Sequence, residues 1–213
     1  MFDLGADIYA WFTAQRAWRA SCAQLAWRLQ DLQKPVIVDL GCGPGVSTFE
    51  LARRLAGARL VGLDIAPRML GQARRRWRSA HLDAARISWM RADAAALPLR
   101  TASVDACTGH SFLYLVGDRA AVLAEIRRVL RPGGRLVLME PDQRGATIRS
   151  VLTVSRDPRH LVSVGLWRPF SRLHGRFTPE SLVATFGAAG FVNCGTESTL
   201  GGLGVLGWAE APA

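Results

Sequence analysis

The chain predicts an α/β fold: a mostly parallel sheet with helices on both faces and an antiparallel last strand. Three observations carry this. An apolar run, Val36-Ile37-Val38, leads into Asp39 and then into a Gly41-x-Gly43-x-Gly45 loop, the ending of a strand that brings its backbone against a nucleotide. Short apolar segments then alternate with segments of helical period as far as residue 140, the pattern of strands joined by crossover helices. Near the C-terminus two strand-like runs are joined by Thr199-Leu200-Gly201-Gly202-Leu203, a glycine-rich link that suits a hairpin and makes the final strand antiparallel.

The elements follow in order. Residues 6–30 read as a helix, because Trp11, Trp18 and Leu25 recur at intervals of seven with Ile8, Phe12 and Leu29 near the same side. Pro35 marks the break before strand one at 35–40, and the next helix turns Phe49, Leu51 and Leu55 inward and ends near Gly57. Strand two is 60–64, Pro67 opens a helix to about residue 78, and strands three and four are 87–90 and 104–108. A helix over 118–130 carries Val122, Ile126 and Val129 on one face; Arg131-Pro132-Gly133-Gly134 stops it, since proline blocks continuation and the glycines turn the chain into strand five at 136–140. Thr178 is the N-cap of a helix to about residue 189, followed by a strand ending near 198 and a last strand at 205–209. Residues 142–176 read as irregular and basic, the kind of insert that covers the substrate where ligands bind at the carboxyl ends of strands.

At 213 residues, 49% hydrophobic and 21% charged, the chain reads as one domain (1–213) with a full core. Apolar runs are broken well short of a membrane span, and an N-terminus bearing Asp3 and Asp7 lacks the basic start of a signal peptide, so a cytoplasmic protein is expected. Cys22, Cys42, Cys107 and Cys194 lie in separate elements without metal-ligand spacing, which argues against disulfides and against a metal site. The net charge is +10, yet 26 of the 27 basic residues are arginine, with Lys34 the single lysine, a bias that coding composition also produces. The run Arg74, Arg75, Arg76, Arg78, with Arg68 upstream, is either a solvated helix face or a contact for an anionic partner such as a membrane surface. The sequence carries no signal for oligomeric state.

The glycine loop narrows the ligand. The dinucleotide pattern G-x-G-x-x-G needs glycine at position 46, where Val46 stands. A carboxylate at Asp39 repels phosphate but accepts from an ammonium group, so the expected ligand is a nucleoside with an amino-acid tail. The segment Val38-Asp39-Leu40-Gly41-Cys42-Gly43-Pro44-Gly45 resembles the first motif of the class I S-adenosylmethionine-dependent methyltransferases. Leu60-Val61-Gly62-Leu63-Asp64-Ile65 resembles their second strand, Met90-Arg91-Ala92-Asp93-Ala94 their adenine-side acid, Val104-Asp105-Ala106-Cys107 their fourth strand, and Leu130-Arg131-Pro132-Gly133-Gly134 the turn into the fifth. The opening Phe2-Asp3-x-x-Ala6-x-x-Tyr9 resembles the N-terminal helix of the ubiquinone/menaquinone C-methyltransferase-like (methyltransferase type 11) subgroup. The resemblance implies a Rossmann-like, seven-stranded sheet, S-adenosyl-L-methionine as cofactor, and residues 1–30 as a helical lid.

It also implies roles. Gly41, Cys42, Gly43 and Gly45 let the backbone approach the cofactor; Asp39 orients the loop and the ammonium; Asp64 accepts both ribose hydroxyls. Ile65 and Met69 sandwich the adenine, Asp93 accepts from its amino group, the Ala94 N–H donates to a ring nitrogen, and Tyr9 touches the methionine end. His110, after strand four, is the candidate general base and a cofactor contact, the alternative being a backbone contact with a surface imidazole. Tyr114, Trp167, Phe170 and His174 are candidates for an apolar or aromatic small-molecule acceptor, with Glu140 and Asp142 at the mouth of strand five and His160 in the cover; His81 reads as solvated. Orientation alone can supply roughly 7–11 kcal/mol of barrier lowering, so no elaborate catalytic set is required. The Asn-Pro-Pro-Tyr type of motif that cradles a flipped base is absent, its place holding Thr108-Gly109-His110-Ser111, which argues against nucleic acid as acceptor. An RNA or protein methyltransferase using the basic surface, or a non-catalytic cofactor-binding protein, are the competing readings.

Overall fold

Residues 11, 13, 15–79, 86–145 and 147–213 are described by the computed structural model. Its seven strands are β1 (Val36–Leu40), β2 (Arg59–Asp64), β3 (Ile87–Arg91), β4 (Val104–His110), β5 (Leu130–Pro141), β6 (Val192–Thr199) and β7 (Gly204–Glu210). They form one sheet in the order β3-β2-β1-β4-β5-β7-β6. Ladders among β1 to β5 are parallel, while β7 runs antiparallel to both β5 and β6. The expected sheet and its antiparallel last strand are therefore observed.

β1 sits between β2 and β4 and is covered on both faces, so Val-Ile-Val reads as a continuous apolar run rather than an alternation. Its residues still divide by the period of two. Val38 faces one core with Cys107, Leu136 and Leu138, whereas Ile37 faces the other with Ala106, Val137 and Met139. The first core is closed by α4 (Arg119–Val129), through Val122 and Ile126, and by α7 (Pro179–Ala188), through Leu182 and Phe186. The second is closed by α1 (Arg16–Gln24) with the 3₁₀ turn Leu25–Arg28, and by α2 (Val46–Arg54), through Trp18, Leu25, Phe49 and Leu51. A third helix on the β2–β3 side, α3 (Pro67–Ser79), buries Met69 and Ala73.

Local chemistry sets the helix starts. Asp118 accepts from Ala121 N at 2.9 Å at the head of α4, and Thr178 with Ser181 forms a reciprocal capping box at α7. Two expectations need correction. The Arg131-Pro132-Gly133-Gly134 turn lies within β5 rather than before it: Leu130 pairs with Val104, the ladder shifts, and it resumes at Arg135–Ala106. Arg-Pro-Gly-Gly is thus an irregularity of a long strand. Residues 142–176 are not irregular either. They hold α5 (Ile148–Val154), capped by Thr147, and the seventeen-residue α6 (Pro158–His174), capped by Asp157 with Pro158 in the first turn. The signal was hidden because α6 carries Pro169 in its interior and buries His160, Ser163 and Ser171 instead of its leucines. In the first helix Trp18 and Leu25 are buried as the heptad spacing predicts, but Trp11 is exposed.

Candidate functional site

The glycine loop after β1 is built from backbone bonds that leave one face bare. Cys42 N donates to Leu63 O at 3.0 Å, tying the loop to β2, and Gly45 N donates back to Cys42 O at 2.9 Å. Gly45 has φ +86, a left-handed conformation that side chains rarely adopt, and is the N-cap of α2. Gly41 has φ +60, and a Cβ there would lie 2.5 Å from Cδ2 of Phe112. The Phe112 ring therefore packs on the bare face of Gly41.

Asp39 holds this loop from beneath. Its carboxylate is fully buried and accepts from Ser47 and Thr48 hydroxyls at 2.6 Å each and from Thr108 at 2.9 Å. Burial raises its carboxyl above the ordinary range, and the three hydroxyls pull the other way. The side chain thus orients the loop, as expected, but it is enclosed by protein hydroxyls rather than presented to an ammonium group.

Beyond the loop lies a cavity of about 270 Å³ lined by Gly41, Gly43, Asp64, Ile65, Met69, Asp93, Ala94, Ser111 and Phe112, among others. Asp64 ends β2, where its two oxygens accept from Gly43 N and Ala66 N at 2.8 Å each. A carboxylate at this strand end, beside the loop, suits hydroxyl donors. Asp93 is fixed by accepting from Ala95 N at 2.9 Å. Exposed Ile65 and buried Met69 line the same cavity and supply apolar surface. The glycine cradle and these two anchored acids suit a nucleoside with an amino-acid tail.

His110 departs from its expected part. It is the last residue of β4, buried against the Trp18 ring with centroids 4.7 Å apart. Ser21 Oγ donates to Trp18 O at 2.7 Å, so it receives the proton of His110 Nε2 across 2.8 Å. That fixes the tautomer and leaves Nδ1 as a lone pair, buried and without a partner among the described residues. Burial lowers the ring to about 3, so it stays neutral and is a weak base. The ring faces a small recess that shares Gly41 and Gly43 with the larger cavity and includes Thr13, Trp18 and Cys42. It is neither a surface imidazole nor poised to take a proton.

The acceptor candidates do converge, but into packed aromatic groups. Trp167 meets Trp18 edge to face at 5.7 Å, Tyr114 meets His174 at 6.5 Å, and His174 tilts against Phe170 at 4.3 Å. Burial drives the Tyr114 phenol's pKa upward against the nearby Trp167 indole N–H, which makes no close hydrogen bond among the described residues. Among the described residues the Gln15 amide, Ser111 Oγ, His110 Nδ1 and both nitrogens of His160 are likewise buried and find no partner. Buried polar groups in folded proteins are normally hydrogen-bonded, so each of these can still take a partner.

Glu140 and Asp142 are not presented to a substrate. Glu140 is wholly buried and accepts from the N–H groups of Phe112, Leu113 and Tyr114 at 3.2, 2.7 and 3.1 Å. Burial pushes its carboxyl up to about 7 against those three donors. Asp142 is occupied by Arg144, at 2.8 Å from its N–H and 2.9 Å from its guanidinium. Tyr9 and His81 lie outside the described residues. Phe112 and Ser111 were not singled out for the cofactor; the only sequence signal was their place after strand four, and Ser111 has φ +55. Among the described residues no cluster of side chains could hold a metal ion, and no helix is long and apolar enough to cross a membrane.

Residues 37–134 match the methyltransferase domain family. The chain is 34% identical over 78% of its length to a trans-aconitate 2-methyltransferase of Delftia acidovorans, covering 59% of that protein. It is 38% identical over 63% of its length to a demethylmenaquinone methyltransferase of Thermus thermophilus, covering 60% of it. The chain thus spans about 60% of the length of these curated relatives. Among solved structures, the [4+2]-cyclase SpnF superposes with a TM-score of 0.77 at 18% identity, covering all of this chain and 94% of that one. Five motifs in order, the sheet they build and these likenesses place the chain in the class I S-adenosylmethionine-dependent methyltransferase family.

Proposed function

We propose that the chain transfers a methyl group from S-adenosyl-L-methionine to a small acceptor with an apolar or aromatic body and at least one polar atom. The observation that carries this is that His110 and Ser111, which line the recesses at the glycine loop, and Gln15 and Trp167 hold buried polar atoms with no partner among the described residues, under the Trp18 and Trp167 rings. The relatives that act on trans-aconitate and demethylmenaquinone support a small molecule.

Gly41 and Gly43 would hold the cofactor by their backbone, Asp64 by its carboxylate, and Ile65, Met69, Asp93 and Ala94 around the base. When bound, the cofactor supplies a sulfonium methyl carbon that is already electrophilic. The chain's own contribution is then to orient and to exclude water. Glu140 fixes the backbone of Phe112 to Tyr114, which sets the wall beside the glycine loop. The Trp18, Trp167 and Tyr114 rings form an apolar cover, while the Trp167 N–H can donate to an acceptor oxygen and His110 Nδ1 can accept from a hydroxyl or amine. With its ring held neutral, His110 orients rather than deprotonates.

The test is a panel of small phenols, quinols and unsaturated carboxylic acids, assayed for release of S-adenosylhomocysteine. Turnover of at least one, together with calorimetric binding of S-adenosylhomocysteine that Asp64→Ala weakens, supports the reading. Cofactor binding without turnover of any small molecule, but with methylation of RNA or protein, would replace it.

A further inference from the structure

Helix α6 is built inside out. Its inward face carries His160, Ser163, Trp167 and Ser171, all buried. Its outward face carries Val162, Leu166, Pro169 and Leu173, spaced i, i+4, i+7 and i+11, which is one stripe along a helix. The stripe is open to solvent, with Leu166 59% and Leu173 83% exposed. Leu161 widens it, also exposed. At 3.6 residues per turn, Arg159 falls on one edge of the stripe and Arg172 on the other. Arg159 also lies over the ring of exposed Trp11, at 5.7 Å, so an indole borders the same edge.

The charge around the stripe has one sign. Residues 144–176 contain seven arginines, and Asp157 is the one acidic residue, already paired with Arg159 at 3.0 Å. Arg149, Arg156 and Arg172 are exposed and make no ion pair among the described residues. An apolar ridge of this kind is costly to leave in water. A symmetric contact with a second copy would bring Arg159 and Arg172 toward their own duplicates, and each molecule already carries +10. The ridge is a convex helix edged by arginine and tryptophan, which suits the headgroup and acyl boundary of an anionic bilayer, where aliphatic side chains enter and guanidinium groups meet phosphate.

We propose that the outer face of α6 docks this protein on an anionic phospholipid bilayer, with Val162, Leu166 and Leu173 entering the interface and Arg159 and Arg172 meeting the headgroups. The proposal stands apart from the acceptor reading, since it uses the face of α6 that turns away from the aromatic cover.

Co-sedimentation of the full chain with vesicles tests it. One set is phosphatidylcholine alone; the other contains phosphatidylglycerol as well. The expected result is at least tenfold stronger partition onto the anionic vesicles, falling as salt is raised. Leu166→Glu with Leu173→Glu should lower that partition tenfold or more, and Arg172→Ala should lower it about fivefold, the weight of one basic residue near such a surface. Both positions are solvent-exposed, and unchanged calorimetric binding of S-adenosylhomocysteine certifies the fold of each variant. Partition that is absent, equal on both vesicle types, or indifferent to the double variant overturns the proposal. Sedimentation equilibrium showing a dimer that the double variant dissolves, with no vesicle binding, overturns it in favour of a second copy.

Discussion

The acids around the glycine loop and the polar groups near Trp18 in this molecule are handled in opposite ways. Around the glycine loop every acid is held: Asp39 by three hydroxyls, Asp64 by two backbone N–H groups, Asp93 by one. Elsewhere several buried polar groups find no partner among the described residues: the Gln15 amide, Ser111 Oγ, His110 Nδ1 and His160. A site finished without its ligand can be rigid and shared by many relatives. One whose groups still lack partners is specific to whatever completes it. The fold therefore supplies the glycine-loop half ready-made, while the groups under the aromatic cover still await what completes them.

The sharpest way to break this contrast is at Asp39. Asp39→Ala would leave three buried hydroxyls without their acceptor, a loss of roughly 3–5 kcal/mol at 1–3 kcal/mol for each unmet group with partial relaxation. Urea denaturation should show it as a lower midpoint. A midpoint near that of the wild type would mean that the loop is held some other way.

Next in size is Asp64. Asp64→Ala should weaken S-adenosylhomocysteine roughly 10- to 100-fold, as charge-assisted hydrogen bonds are worth about 1.5–3 kcal/mol before compensation. Asp105→Ala is the control. It accepts from Val36 N at 2.7 Å and pairs with Arg131 at the opposite end of β1, so it should cost stability and leave cofactor affinity within about twofold. Equal losses of affinity in the two variants would erase the distinction between the ends of the sheet.

Much of the cofactor half was legible because chemistry ties residue type to spacing. A glycine at 41 is needed where Phe112 packs on the backbone, and an acid at 64 is needed where β2 ends beside the loop. The strands were legible too, since Val, Ile and Leu runs between glycine and proline have few other uses. The cover was not. The inverted face of α6 and Pro169 within it broke the periodicity that marks a helix, and nothing local marks His110 as lying beneath Ser21 and Trp18. Glu140 read as a substrate contact because its partners, three consecutive N–H groups, lie 26 to 28 residues earlier in the chain.

Glu140 gives a third, smaller effect, read as pH dependence. Its carboxyl stands at about 7 in the folded chain, above the ordinary 4.5, so the native state holds the proton more tightly than the unfolded state. The stability this confers is fully present below about 4.5 and is lost as pH rises to about 7. The wild type should accordingly lose about 1–3 kcal/mol across that window relative to Glu140→Gln, which does not titrate. Parallel stability curves for the two proteins would show that the three N–H donors, not burial, control this carboxyl.

The least disruptive substitution probes the acceptor half alone. Trp167→Phe keeps an aromatic ring against Trp18 but removes the unpaired N–H. Turnover of an accepted substrate should fall several-fold, while S-adenosylhomocysteine affinity stays within about twofold, since one neutral hydrogen bond is worth about 1 kcal/mol. If affinity for the cofactor falls in step with turnover, the two halves are not separable.

One feature of the sheet bears on how the chain is made. β7, the last strand in sequence, lies between β5 and β6 and pairs with β5 from Arg135–Glu210 to Pro141–Gly204. A ribosome completes β5 about seventy residues before it completes β7, so one long edge of the sheet waits unpaired throughout that interval. Nascent chains stalled before residue 204 would carry Leu136, Val137, Leu138 and Met139 on an open edge, a template for association with other unfinished chains. Early release is then a hazard to its solubility, and chaperone capture would peak in that window of synthesis.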